Sequence, residues 1–241
     1  MPDRIVTNIL STAAVVAAAA CGGSPSTEAR RPTADVAPPV KLLTARFEPR
    51  AIRRIEVGDF HFTAGQLAPI HTHPAPVLGY VSKGSIIYQV EGQSKQVLVA
   101  GDAFFEPVGP RILHFDNASQ TEEAVFTDFN FERTGEPFIQ FPEPPVNLKV
   151  DRRTFPTVEV ANASDVGRID VFAQTIEPSA SVRRPANPLP VMGYVASGTI
   201  DVGGTPVTVG HSFAVPAGSP DVALTNHANT AAKIVTFEPV L

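Results

Sequence analysis

The chain resembles itself at a displacement of 114 residues, and this repeat limits its possible folds more than any other feature. On that displacement Ile55-Glu56-Val57 falls on Ile169-Asp170-Val171. Likewise Pro76-Val77-Leu78-Gly79-Tyr80-Val81 falls on Pro190-Val191-Met192-Gly193-Tyr194-Val195, each run followed by a glycine, Gly84 or Gly198. After a hairpin that is shorter in the second copy, Gly101, Phe104, Pro107, Gly109 and Asn117 fall on Gly210, Phe213, Pro216, Gly218 and Asn226. Landmarks kept in one order through two copies predict two units of the same fold. Ile86 to Val99 and Ile200 to Val209 are β-branched runs broken by Glu91-Gly92 and Gly203-Gly204, which are hairpin signals. Twenty-four prolines and 17 glycines, against three tyrosines and no tryptophan, agree with short strands and turns and disfavour a helical bundle. The expected class is all-β.

The sequence outside the repeat divides further. Arg4 precedes an apolar run to Ala20, the pattern of a secretory signal peptide over residues 1–20, too short and too small-residue-rich at its end for a permanent membrane span. Residues 21–44, rich in Gly, Ser, Thr, Ala and Pro, read as a flexible tether with too little apolar surface to fold. The first repeat domain then occupies 45–132 and the second 160–241. Residues 133–159, with Pro137, Pro142, Pro144 and Pro145, form a linker that excludes a central strand or a long helix. The chain carries a net charge of −5 and no long basic run, so nucleic acid is not an expected partner. Its single cysteine forbids an intrachain disulfide and a CxxC metal site, leaving metal chemistry to histidines and carboxylates.

Two stretches resemble known families. Ala18-Ala19-Ala20-Cys21-Gly22-Gly23 is similar to the lipobox of bacterial lipoproteins, although Ala18 stands where leucine is usual. That resemblance implies an exported protein of the periplasm or cell envelope, tethered through a lipidated Cys21; the alternative is ordinary signal-peptide cleavage beside an incidental cysteine. The first repeat reads Gly65-x5-His71-x-His73-x3-Val77-x6-Gly84, then Gly101-x5-Pro107-x-Gly109, His114 and Asn117. This resembles the two motifs of the cupin superfamily, and the repeat as a whole resembles a bicupin, two tandem jelly-roll β-barrels. The resemblance covers roughly residues 45–131 and 160–241. It implies that two histidines and a glutamate of the first motif, and a histidine of the second, converge on one metal ion inside the barrel.

Only part of that ligand set is present. His71 and His73 match the paired histidines, and residues two apart on a strand share a face. Val77 occupies the glutamate position, and Ile112 the position of the second-motif histidine. His114 lies two residues further on, where strand parity keeps it on the same face as 112 and a bulge can restore it to the site. The expected site is therefore His71, His73 and His114 around Fe, Mn, Ni or Zn as the divalent ion, with positions left open; the alternative is a barrel lined by unmetallated histidines. Glu106 also shares parity with His114, but a turn at Gly109 intervenes and it is not assigned to the site. His61 is expected outside the barrel, and His211 and His227 at the surface. Phe104, Phe105, Phe126, Phe129 and Phe131 read as core.

In the second copy Pro185 and Asn187 replace the paired histidines, Val191 the glutamate, and Asp221 the remaining histidine, so this barrel is degenerate. An inward Arg183 paired with Asp221 is one reading, and two solvated loop charges the other. Functionally, the pattern leaves three readings: a metal-dependent enzyme of dioxygenase, isomerase or lyase type acting on a small molecule; a binding shell whose apolar mouth near Val77, Ile112 and Phe115 takes a small ligand without chemistry; or a structural lipoprotein that self-associates, with a homodimer as partner.

Overall fold

The computed structural model describes residues 37–145, 148–161 and 165–241. The expected signal peptide and Cys21 lie outside these residues, as does most of the expected tether. Every assigned element is a strand: β1 Val40–Ala51, β2 Arg54–Phe62, β3 Val77–Lys83, β4 Ser85–Val90, β5 Gln96–Val99, β6 Ala103–Glu106, β7 Ile112–Asn117 and β8 Ala124–Glu132 precede the connection. Within it lie β9 Asp151–Thr154 and β10 Val158–Glu159. The remaining strands are β11 Asp165–Ile176, β12 Ser181–Arg184, β13 Val191–Ser197, β14 Thr199–Val202, β15 Thr205–Thr208, β16 Ser212–Val215, β17 Val222–Thr225 and β18 Ala232–Val240.

The first repeat forms a barrel from a sheet ordered β10-β2-β8-β3-β6, with β9 also on β2, facing a smaller sheet β5-β4-β7. The second forms β1-β11-β18-β13-β16 facing β12-β17-β14-β15. Two all-β units of one fold are what the repeat predicted, and two jelly-roll barrels are what the cupin resemblance implied. The edges, however, are exchanged. β1 precedes the first barrel in the chain but hydrogen-bonds to β11 of the second, from Val40 opposite Ala173 to Ala51 opposite Asp165. β9 and β10 come from the connection and add to β2. Each exchange covers an edge strand that would otherwise present a row of free N–H and C=O groups.

The larger sheets of the two barrels pack face to face. Their shared core contains Val57, Leu78, Tyr80, Phe129 and Phe131 from one side and Val171, Met192, Tyr194, Val235 and Phe237 from the other. Residues that correspond in the repeat meet across this core: Phe129 stacks on Phe237 at 4.1 Å between ring centroids, and Tyr80 meets Tyr194 at 6.1 Å. Each barrel also has a core of its own. On β8 every residue is buried because one face serves the barrel interior and the other the shared core.

One local rule recurs in both halves. The tip of the Phe104 ring abuts Gly79, and a Cβ there would fall 2.0 Å from its Cζ; Phe213 meets Gly193 the same way, at 2.1 Å. The glycine of the repeated Pro-Val-x-Gly-Tyr-Val run is thus needed for close packing of a ring on backbone.

Candidate metal centre in the first barrel

His71 and His73 lie just before β3, in an extended segment that bridges to β7 and to the connection. His71 pairs with Ile112, Thr72 with Gln140 and His73 with Val108. Alternation points both imidazoles inward, with ring centroids 5.1 Å apart and planes at 89°. Each ring is oriented through Nδ1: His71 donates to the Pro69 carbonyl at 2.7 Å, and His73 to the Phe138 carbonyl at 2.9 Å. A carbonyl only accepts, so Nδ1 carries a proton in each ring, and Nε2 is the atom left to face the interior. Arg50, itself buried, donates to the Pro74 carbonyl at 2.8 Å and pairs with Glu136, fixing the chain directly after His73.

The third group is Glu106, the last residue of β6. It stands directly across the ladder from Val77, and opposite residues of an antiparallel pair project to the same face. The carboxylate missing from position 77 is therefore supplied by its cross-strand neighbour. Glu106 Oε2 lies 3.2 Å from His73 Nε2, and Oε1 lies 3.7 Å from His71 Nε2. One ligand atom from each of His71, His73 and Glu106 falls within 4.8 Å of the others, and all three residues are buried. Burial alone would push the Glu106 carboxyl up, but the two imidazoles pull it below the usual carboxylate range and keep it anionic. Burial pulls the His71 imidazole down, yet the hydrogen bond and charge of Glu106 outweigh this and leave it above the ordinary value.

His114 is not part of this group. It stands on β7 with 38% of its side chain exposed, its Nδ1 2.6 Å from Asp116 Oδ2. The expected bulge exists, but it acts in the opposite sense. Tyr88 pairs with Phe115, Gln89 with His114 and Val90 with Ile112, leaving Leu113 as the extra residue. The inserted residue breaks the parity between 112 and 114, so Ile112 and Phe115 share the inner face and His114 turns out.

The other expected positions fall as follows. His61 lies outside the barrel between Asp59 Oδ2 at 3.1 Å and Glu123 Oε1 at 3.0 Å. His211, His227, Arg183 and Asp221 are exposed. Arg184 turns inward instead of Arg183, pairing with Glu238 at 2.8 Å. In the second barrel Val191 faces Val215 where the first has Val77 facing Glu106, so none of the donors is repeated. Phe104, Phe129 and Phe131 are core residues and Phe105 packs against the shared core, while Phe126 also lines the pocket over the site.

That pocket, of about 280 Å³, opens onto His71, His73 and Glu106. Phe60, Phe62, Phe115 and Phe126 wall it from the barrel, and Phe138, Phe141 and Arg152 close it from the connection. The Arg152 guanidinium sits 4.1 Å from the centre of the Phe138 ring and bonds Glu56 at 2.7 Å. Asp128, on the inner face of β8, completes the lining. Burial first, and then the charge of Glu106, push its carboxyl well above the usual range against the opposing pull of Arg152.

Three buried polar atoms converge here without a hydrogen-bond partner: His73 Nε2, Glu106 Oε1 and Asp128 Oδ1. Such atoms are costly in a folded protein unless something else satisfies them. Two borderline imidazole donors and one carboxylate, each Nδ1 already anchored, match the donor set of a divalent transition metal.

Fold and site together define an all-β protein whose first barrel gathers a His-His-Glu cluster. Residues 58–130 match the family model described as cupin domain. Among solved structures, the chain is similar to the bacterial pirin YhhW of Escherichia coli in complex with nickel(II), at 15% identity and TM-score 0.54 over 79% of this chain and 84% of that one. It is similar to a salicylate 1,2-dioxygenase of Pseudaminobacter salicylatoxidans, at 10% identity and TM-score 0.55 over 78% and 71%. It is also similar to the 11S globulin of Wrightia tinctoria, described with an auxin binding site, at 13% identity and TM-score 0.54 over 86% and 84%. At these identities the likeness is one of fold. Comparison with curated protein sequences finds no match.

Proposed function

We propose that this chain is a metal-dependent enzyme acting on a small molecule, with one divalent transition metal ion held in the first barrel by His71, His73 and Glu106. The observation that carries this reading is the convergence of two oriented imidazoles and a buried carboxylate, with one ligand atom of each within 4.8 Å of the others and with His73 Nε2 and Glu106 Oε1 unpartnered, in the lining of an apolar pocket. Two neutral imidazoles and one carboxylate give a complex with a divalent ion a net charge of about +1 and leave coordination positions free for a ligand oxygen. Bound there, such an ion supplies Lewis-acid polarisation or activation of dioxygen. The chain's own residues do the rest. Pro69 and Phe138 orient the imidazoles, and the phenylalanines give the donors an apolar surround. Asp128 adds a protonatable group beside the donors. The nickel(II) complex of the pirin supports a metal in this fold, and the dioxygenase supports chemistry on a small molecule. A second reading, binding without chemistry, is favoured by the apolar walls and by the globulin's ligand site.

Metal analysis of untagged protein tests the proposal. One equivalent is expected in the wild type and in His114→Ala, and none in the His71→Ala/His73→Ala double variant. A metal-free wild type, or loss of metal in His114→Ala, overturns it; the first result favours the binding reading. Export and a lipid tether through Cys21 are proposed from the leader pattern, and labelled palmitate that still enters Cys21→Ala removes the tether.

A further inference from the structure

Asp128 is the one buried group in this pocket that neither the fold nor the metal donors account for. The other buried aspartates are tied down: Asp59 accepts from Thr127 Oγ1 and Arg153, each at 2.9 Å; Asp116 from the Ala68 amide at 3.1 Å; Asp170 from Thr44 Oγ1 at 2.7 Å and Lys41 at 3.1 Å. Asp128 is only 5% exposed, and its Oδ1 has no partner. It lies outside the His71–His73–Glu106 group, so it is not one of the donors to the ion. Among the described residues no ion pair joins it to Arg152, the nearest cation of the lining, which bonds Glu56 instead.

The backbone around it is unusually open. Asp128 is paired with Gly58 on β2 and with Gly79 on β3, so neither neighbouring strand puts a side chain beside it. Phe104 lies over Gly79, and Arg152 Nε passes 2.7 Å from where a Gly58 Cβ would be. The second barrel provides an internal comparison. By the same pairing its equivalent position is Thr236, set between Gly193 and Phe172. The carboxyl, and the second glycine beside it, occur only in the barrel that also has the metal donors.

We propose that Asp128 is the ligand-positioning residue of this pocket, a hydrogen-bonding anchor separate from the metal donors that holds a hydroxyl group on a small, otherwise apolar ligand lodged against Phe60, Phe62, Phe115 and Phe126. The inference rests on the reading of this pocket as the small-molecule site. A carboxyl in an apolar wall accepts from a hydroxyl when ionised and both donates and accepts when neutral, so either state can hold that group. A bare hydrocarbon leaves Asp128 unpaired, whereas a hydroxylated one supplies its partner.

The test is a ligand-observed NMR titration with two probes, benzyl alcohol and fluorobenzene, on chelator-treated and zinc-loaded protein, with zinc content measured in parallel. The wild type is expected to bind benzyl alcohol about fivefold or more tighter than fluorobenzene in both forms. In Asp128→Leu the ratio falls to about one while fluorobenzene binding does not weaken, and Asp128→Asn, which keeps hydrogen-bonding capacity, retains a preference. An unchanged ratio in Asp128→Leu, or no preference in the wild type, overturns the assignment. If the leucine variant does not fold, wild-type protein carrying ¹³C-labelled aspartate carboxyls decides: one carboxyl resonance, assigned by its absence in Asp128→Asn, moves with benzyl alcohol and not with fluorobenzene. Stoichiometric zinc without a hydroxyl preference sinks this inference alone, and the preference without zinc binding sinks the metal reading alone.

Discussion

At the scale of single residues, the first barrel shows how a carboxylate absent from its motif position can be replaced without restoring the motif. Val77 cannot donate a lone pair, but its cross-strand neighbour Glu106 reaches the same face. Loss of a group that merely orients a metal ligand commonly lowers affinity about 10–100-fold, and loss of a ligand costs at least as much. Glu106→Gln is therefore expected to weaken zinc or nickel binding by about 10-fold or more, measured by competition with a chromophoric chelator; an unchanged affinity would remove Glu106 from the site. His61 makes a separate pH prediction. Burial lowers its imidazole, but the hydrogen bonds and charges of Glu123 and Asp59 outweigh this and raise it above 6.5. The raised group stabilises the fold fully below pH 6.5 and loses that contribution as pH rises through its folded value. The melting temperature of the wild type should exceed that of His61→Gln by more at pH 6 than at pH 8, and by little, because a half-exposed pair contributes less than about 1 kcal/mol. A difference that grows with pH would show the sign to be wrong.

At the scale of elements, the strands are positioned by close contacts that leave no room for a methyl group. Gly79→Ala sets a Cβ 2.0 Å from the buried Phe104 ring. Overpacking of this kind costs about 1–3 kcal/mol, and chemical denaturation should show it. Because β3 pairs with both β6 and β8, the same change should displace Glu106 and weaken metal binding as well; a stable, fully metallated Gly79→Ala protein would refute this coupling. The connection is an element in its own right. Its Phe138 carbonyl sets the tautomer of His73, and its β9 and β10 extend the sheet of the first barrel.

At the scale of the whole molecule, the two barrels are joined by a shared core and by exchanged edges, so neither is self-contained. Phe129 and Phe237 are fully buried and stacked on each other; replacing either with alanine is expected to cost about 3–5 kcal/mol and to lower a single unfolding transition common to both barrels. Two separate transitions would contradict the shared core. Removal of residues before Arg54 deletes β1, whose partner is β11. Hydrogen exchange should then accelerate first at Val166 to Ala173 in the second barrel, although the deleted strand precedes the first; protection unchanged there would argue against the exchange.

The sequence by itself determined the repeat, the all-β class and the placing of His71 and His73 on one face, because these follow from local periodicity, turn residues and the order of landmarks; the two-barrel architecture was implied by the cupin resemblance that those landmarks carry. The shared face of His71 and His73 survives folding because only one residue separates them. Glu106, Asp128 and the outward turn of His114 were decided by tertiary structure alone. Once Gly79 is set opposite Phe104, Val77 must face Glu106, but no single-strand pattern selects that register. The extra Leu113 inverts the face of His114 through its pairing with β4, a fact of two strands and not of one. Local pattern fixes which way a side chain points within its own strand, and only the pairing of distant strands fixes which side chains meet.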